Sequence, residues 1–268
     1  MKKSLFVVFI WFYHSFSFAC SCHTVPQVEC FMYSDFVAKV QITKVYPNAT
    51  RQSETFKIDI EILDLFKGQK VESMLVYGSS DSLYRSSCDM SVSKNSTWMI
   101  YARKDTSKAY LLHSCSASRR IDWNFNYLGN PEFQKRFSKS IETEQNELTI
   151  LKKEKLNEVQ FAENLFAQND DLDSFLEKYK GKPFQKNFAV YMVTFNADLS
   201  VKEVNVISGF DDKIDEELVN HVKKKTHWKN WGVSAKPEKS AVEKKWLISV
   251  RFYEARDKYP SFLSTHSF

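Results

Sequence analysis

Two long stretches of strict alternation constrain this chain more than any other feature. "DFVAKVQITKVY" (35–46) sets Phe36, Ala38, Val40 and Ile42 on one side and Lys39, Gln41 and Thr43 on the other. A period of two is the signature of a half-buried strand. "ETFKIDIEILDLFKG" (54–68) repeats it with Phe56, Ile58, Ile60 and Ile62, and Gly68 closes the unit. "VESMLVYG" (71–78), "STWMIYARK" (96–104) and "KAYLLHSC" (108–115) are three more strand candidates. A sheet with one apolar face must bury it, and five short strands separated by turns predict a small antiparallel barrel closed on itself.

Beyond the barrel the texture changes. Residues 133–182 hold no Pro and one Gly, and are rich in Glu, Lys, Gln and Leu. Those are good helix formers, and Leu148, Leu151, Leu156 and Val159 recur near helical spacing. One or two charged helices are therefore expected as a connector. After Pro183 the strand pattern returns as a hairpin turning at Asn196-Ala197-Asp198. "DDKIDEELVNHVKKKT" then places Ile214, Leu218 and Val222 along one helix face. Asp211 and Asp212 suit the positive N-terminus of that helix, and Lys223 to Lys225 its C-terminus. "EKKWLISVRFYE" reads as a last strand with Trp246, Ile248, Val250 and Phe252 on one face. The expected organisation is a barrel over 20–125, a charged helical connector over 126–182, a small α+β domain over 183–255 and a frayed tail over 256–268.

Charge excludes one class of partner. The 268 residues carry a net charge of +5, which includes Lys2 and Lys3. Basic and acidic residues are interleaved, so no nucleic-acid partner is expected. Residues 1–19 read as a signal peptide: Lys2 and Lys3 as the positive start, Leu5 to Tyr13 as the apolar centre, and Ser17-Phe18-Ala19 as the cleavage site. The apolar run is too short to span a bilayer comfortably. The chain is thus expected to be exported, periplasmic or secreted, into a compartment where disulfides persist. Cleavage before Cys20 has two outcomes. Either Cys20 keeps a free amine, or it is acylated as in a bacterial lipoprotein, in which case the membrane becomes a partner.

Three of the five cysteines fall within "CSCHTVPQVEC", residues 20 to 30. Leaving one cysteine out and pairing the other four gives fifteen arrangements, and spacing does not choose among them. Tying the N-terminal end to Cys88 and Cys115 would close loops of about 70 and 95 residues, each worth roughly 4–5 kcal/mol at most in the chain-entropy model.

"CSCHTVPQVECFMYSDFVAKVQITKV" resembles the start of the inhibitory domain of tissue inhibitors of metalloproteinases. The likeness rests on Cys-x-Cys, a Pro, a third Cys, Ser34-Asp35 and a strand ending in Lys44-Val45. It extends over about residues 20–120, carried downstream by Cys88, "FKG" and Cys115. The resemblance implies a netrin-like OB barrel. It implies the disulfides Cys20–Cys88 and Cys22–Cys115, with Cys30 unpaired; if Cys20 is acylated, Cys30–Cys88 is the alternative. It also implies an inhibitory wedge made of Cys20, Ser21 and Cys22. The Cys20 α-amine and backbone carbonyl would bind the catalytic zinc of a target protease, which keeps a coordination position open. An α-amino group titrates near neutrality, so enough is unprotonated to coordinate. Ser21 would enter the protease's first specificity pocket, and Cys22 would clamp the wedge.

"VYMVTFNADLSVKEVNVISGFDDKIDEELVNHVKKKTHWKNW…KKWLISVRFY" is similar to the C-terminal domain of the energy transducer TonB, with Trp228 or Trp231 at the family's Trp and Phe252 at its aromatic strand end. That implies a bacterial envelope setting and protein contact, with edge-strand addition as one mode. A bacterial source would leave the sequons Asn48-Ala49-Thr50 and Asn95-Ser96-Thr97 unglycosylated. The sequence holds no phosphate-binding loop, nucleophile elbow or HExxH. The expectation is a binding protein, not an enzyme, with no cofactor. Its partners would be a zinc metalloprotease or, alternatively, an envelope protein met through the C-terminal domain without inhibitory activity.

Overall fold

A computed structural model describes residues 22, 26–50, 52–81, 87–125, 131–162, 165–167, 169–226, 228–230 and 243–265. In chain order these form α1 (Gln27–Tyr33), β1 (Phe36–Val45), β2 (Thr55–Lys67), β3 (Ser73–Tyr77), β4 (Thr97–Lys104), β5 (Tyr110–Leu112) and β6 (Arg119–Arg120). There follow α2 (Pro131–Lys153), β7 (Leu165–Ala167), α3 (Asn169–Glu177), β8 (Phe188–Phe195), β9 (Val201–Ser208), α4 (Asp212–Lys224), β10 (Trp228–Asn230), β11 (Lys244–Tyr253) and β12 (Phe262–Ser264).

The five expected strands are β1 to β5, and they close into a barrel in the order β1-β2-β3-β5-β4, with β1 also pairing β4 and β6 lying beside β4. The barrel is OB-like and mixed rather than antiparallel, because β3 and β5 run parallel. Topology requires this. Five strands in a closed ring cannot alternate direction all the way round, so at least one neighbouring pair must be parallel. The register of β1 on β2 slips at three places, and such irregularities bend a strand enough to be shared between two partners. The alternating residues read from the sequence line the interior: Phe36, Ala38, Val40, Ile42, Phe56, Ile58 and Ile60 are buried together with Trp98, Ile100 and Leu112. Gly68 ends β2 at φ +90°, where an added Cβ would stand 2.4 Å from the Asp35 carbonyl oxygen. Only glycine fits that return of the chain.

A second antiparallel sheet runs β12-β11-β8-β9, with α4 against β9, and β7 pairs β10 in a separate ribbon. The hairpin turns through Asn196, with Leu199 at φ 66°. Asp211 caps α4 by accepting the amides of Lys213 and Ile214, each at 3.1 Å. Ile214, Leu218 and Val222 are buried as their spacing predicts. Asp215 turns inward, accepting the Tyr191 hydroxyl at 2.6 Å and the Phe210 amide at 3.0 Å.

Three features depart from the sequence reading. First, α1 appears where no helix was expected. Second, β11 is buried on both faces: Leu247, Ser249 and Arg251 are covered as well as Trp246, Ile248 and Val250. α1 supplies part of that cover, since the Leu247 amide donates to Met32 Sδ at 3.2 Å. Third, the tail does not fray, because β12 pairs Phe262 to Ser264 with Tyr253 to Arg251, and Tyr253 stacks on Phe262 at 4.9 Å.

The connector is also no free spacer. Ile141, Leu148 and Leu151 of α2 are buried, and so are Glu144 and Glu147. One apolar cluster joins α1, the outer barrel residues Val37, Phe66, Met99 and Tyr101, α2 and the second sheet. The barrel interior is a separate cluster. The barrel thus keeps its own interior core, while its outer face shares a second core with α1, α2 and the second sheet.

Candidate binding end of the barrel

Strand directions gather several loops at one end of the barrel. β1 ends and β2 begins there, since Val45 faces Ile58 and Thr55 faces Tyr77. β3 and the parallel β5 both end there. The β1–β2 loop, the residues after β3 that include Cys88, and the residues after β5 that include Cys115 thus converge. Asn48 ties two of these loops together. Its amide nitrogen donates to the carbonyls of Ser53, Thr55 and Gly78 at 3.0–3.1 Å. Its oxygen accepts the Ser80 amide at 2.9 Å. This asparagine carries the first sequon, and its nitrogen is fully committed to holding the loop.

The cysteines fasten the N-terminal segment at this same end. Cys22 is bonded to Cys115, with Cα atoms 5.0 Å apart across 93 residues of sequence. Cys88 is also in a disulfide. Cys20, Ser21 and His23 lie outside the described residues. Cys30 is a free thiol, buried on α1, so the alternative Cys30–Cys88 pairing is not formed. Burial pushes its thiol up to about 12, which leaves it protonated and unreactive. Next to the bond, the Cys115 amide donates to His113 Nδ1 at 3.1 Å. Burial, helped by the charge of Arg103, lowers the imidazole pKa and favours the neutral ring that can accept this bond.

α1 begins five residues after Cys22 in sequence and is held at both ends by polar side chains. At its start Gln27 donates to Glu144 of α2, which also accepts the Tyr101 hydroxyl at 2.6 Å and pairs with Arg119. At its end Lys67 Nζ donates to the carbonyls of Phe31 and Met32 at 2.8 and 3.0 Å. Those carbonyls have no helical partner of their own, and a cation there also suits the helix dipole. Burial lowers the Lys67 ammonium to about 8, partly offset by Asp35.

Beside the Cys115 turn runs a groove of about 430 Å³, lined by Ser91, Ser93, Trp98, Ser114, Arg120 and Trp123 among others. Trp98 sits in its wall, donating from Nε1 to Ser96 Oγ at 2.9 Å. Trp123 is 45% exposed, with the Arg120 guanidinium 4.4 Å from its ring centre.

The sequence pointed to the cysteines. It marked Asn48 only as part of a sequon, and it did not point to Lys67, Gln27 or Glu144, which are single polar residues in stretches that gave no sign of their partners. At the charged start of α4, Asp211 caps the helix and Asp215 holds Tyr191. Among the described residues no group of three or more His, Cys, Asp or Glu side chains could hold a metal ion. No described helix is long and apolar enough to cross a membrane. Comparison with models of known protein families and with curated proteins finds no match.

Proposed function

We propose that this chain is an exported protein-binding protein of the metalloproteinase-inhibitor kind, working through its N-terminal segment. The observation that carries the reading is the Cys22–Cys115 disulfide at the loop-bearing end of a closed OB-like barrel. A chain end fastened in this way loses little freedom on binding, which raises affinity without new contacts. In this reading the α-amine and carbonyl of Cys20 are the zinc donors and Ser21 is the pocket residue. Cys20–Cys88 is the second clamp, and it is supported by the disulfide state of Cys88. The fixing of α1 at Glu144 and Lys67 supports it further, because α1 begins five residues after the clamped Cys22.

Two measurements test the proposal together. N-terminal sequencing and intact mass of the exported protein report whether Cys20 carries a free amine. Titration against a panel of zinc endopeptidases reports inhibition. A free amine with stoichiometric inhibition of at least one enzyme is expected. A free amine with no inhibition of any enzyme refutes the reading.

One observation favours a second reading. Apart from the short β10, the order β8, β9, α4, β11 is compatible with the strand-strand-helix-strand pattern expected of a TonB-like C-terminal domain, and among the described residues β9 pairs only with β8. An edge strand of eight residues can accept a partner strand. Here the chain would be a periplasmic or lipid-anchored envelope component without inhibitory activity. An acyl group on Cys20, removing the zinc-binding amine, would decide in its favour.

A further inference from the structure

Four aromatic side chains form a cluster that belongs to neither core. Phe125 is its centre, with Phe133 at 4.8 Å and Phe137 at 5.1 Å edge-on, and Trp123 at 6.3 Å. None of the four is among the buried residues of the barrel interior or of the shared core. Trp123 and Phe133 are 45% and 40% exposed, two of only five large apolar residues so exposed among those described. The cluster sits at the start of α2, where no residue before Ile141 is fully buried. The placement is nonetheless fixed, because the Phe125 amide donates to Gln134 Oε1 at 2.7 Å.

The charges around the rings are mostly positive. Arg120 and Arg136 lie over Trp123 and Phe133, at 4.4 and 6.0 Å from the ring centres. Neither Lys135 nor Arg136 forms a close salt bridge among the described residues, although Lys135 shares the field of Glu254, which is paired with Lys139. Of the nearby carboxylates, Asp122 is already paired with Arg120, and Glu132 is the one left over. Exposed rings outside both cores, set among basic side chains at the start of a helix, match a layer that is apolar beneath and anionic above. Aromatic side chains partition into such an interface, and each basic residue near an anionic surface adds roughly 1 kcal/mol.

We propose that this cluster is a membrane-docking surface for an anionic phospholipid bilayer, with Trp123, Phe133 and Phe137 entering the headgroup region and Lys135 and Arg136 meeting lipid phosphates. This is independent of protease inhibition and of any acyl group at Cys20.

The test uses the full chain from Cys20 onward, shown by mass to be unacylated, in co-sedimentation with vesicles. One set is phosphatidylglycerol and phosphatidylcholine in equal parts, the other phosphatidylcholine alone. Binding is expected to the first set, at least tenfold weaker to the second, and weakened by salt. The double variant Trp123→Ser, Phe133→Ser should bind at least tenfold less. Lys135→Glu with Arg136→Glu should lose the preference for anionic lipid. All these positions lie outside both cores, so an unchanged urea midpoint is the control for folding. Absence of binding to either vesicle overturns the proposal, as does equal binding by wild type and both variants. A wild-type dimer in solution that the serine variant dissociates, without lipid binding, overturns it in favour of self-association.

Discussion

Glu147→Gln is expected to destabilise both sheets at once. Glu147 lies on α2 and pairs with Arg251 of β11, and the two side chains are 3% and 9% exposed. Burial works against the guanidinium charge, and Glu147, with smaller help from Tyr253 and Glu144, more than offsets it, holding the Arg251 pKa above its ordinary value. Removing the carboxylate takes the main partner from a buried cation, which costs about 3–5 kcal/mol in comparable sites. At a urea dependence of about 2–3 kcal/mol per molar, the midpoint should fall by roughly 1–2 M. The informative part is where the loss shows. Leu148 and Leu151 of α2 share one core with Tyr101 of β4 and Val250 of β11. Hydrogen exchange of β1 and β4 amides should therefore quicken together with that of β8 and β11, in a single urea transition. The pair Glu147→Leu, Arg251→Leu should recover most of the loss, since replacing both charges leaves none unpaired. A loss below about 1 kcal/mol would refute the buried-pair argument. Two transitions, with the barrel amides unmoved, would refute the shared core.

Other outcomes follow from the same geometry. Cys22→Ser with Cys115→Ser opens a closure spanning 93 residues of sequence, and about 4–5 kcal/mol of stability should be lost in the chain-entropy limit; a urea midpoint unchanged from wild type would show that the clamp is dispensable. Native protein should leave the Cys30 thiol unmodified by a thiol reagent, with one equivalent reacting in denaturant; rapid native labelling would contradict its burial and raised pKa. Glu29 is raised from 4.5 to about 7 by burial. The folded state then holds the proton that the unfolded state has released, so stability should fall as pH rises from about 4.5 to 7, by up to about 3 kcal/mol. Glu29→Gln should flatten that slope, and an identical pH profile for variant and wild type would exclude Glu29 as its source.

The strands were legible because their chemistry is repetitive. Alternation over 35–46 and 54–68 located β1 and β2 almost to the residue, and the Asp-rich start and Lys-rich end of α4 located that helix. The parts that escaped are those whose character comes from partners far away in sequence. α1 has seven residues, too few to show a period, and Lys67 and Glu144 settle its ends from 36 and 117 residues away. β12 has three residues and exists because β11 offers an edge. Glu144 and Glu147 sit on the buried side of a helix whose composition reads as solvated, since the sequence gives no sign that Arg119 and Arg251 meet them there. At the candidate site the cysteine types were informative and their pairing was not fixed by spacing. The one described bond, Cys22–Cys115, is the pairing implied by the family resemblance.

These contacts bear on how a chain end can act as a rigid group. A disulfide alone fixes one point and leaves the segment free to pivot about it. Here the segment leaving Cys22 enters α1 within a few residues. α1 is then held by Glu144 from α2, by Lys67 from β2 and through Met32 by β11. One helix and a strand from each sheet therefore limit the pivot. The second sheet contributes to the binding end without lying there, by bearing on the helix that leads from it. Under this reasoning the Met32→Ala variant, which empties the contact with Leu247, should leave the Cys22–Cys115 bond intact yet quicken exchange of the α1 amides. Unchanged α1 protection would mean that the disulfide and Lys67 suffice, and that the second sheet bears none of the load.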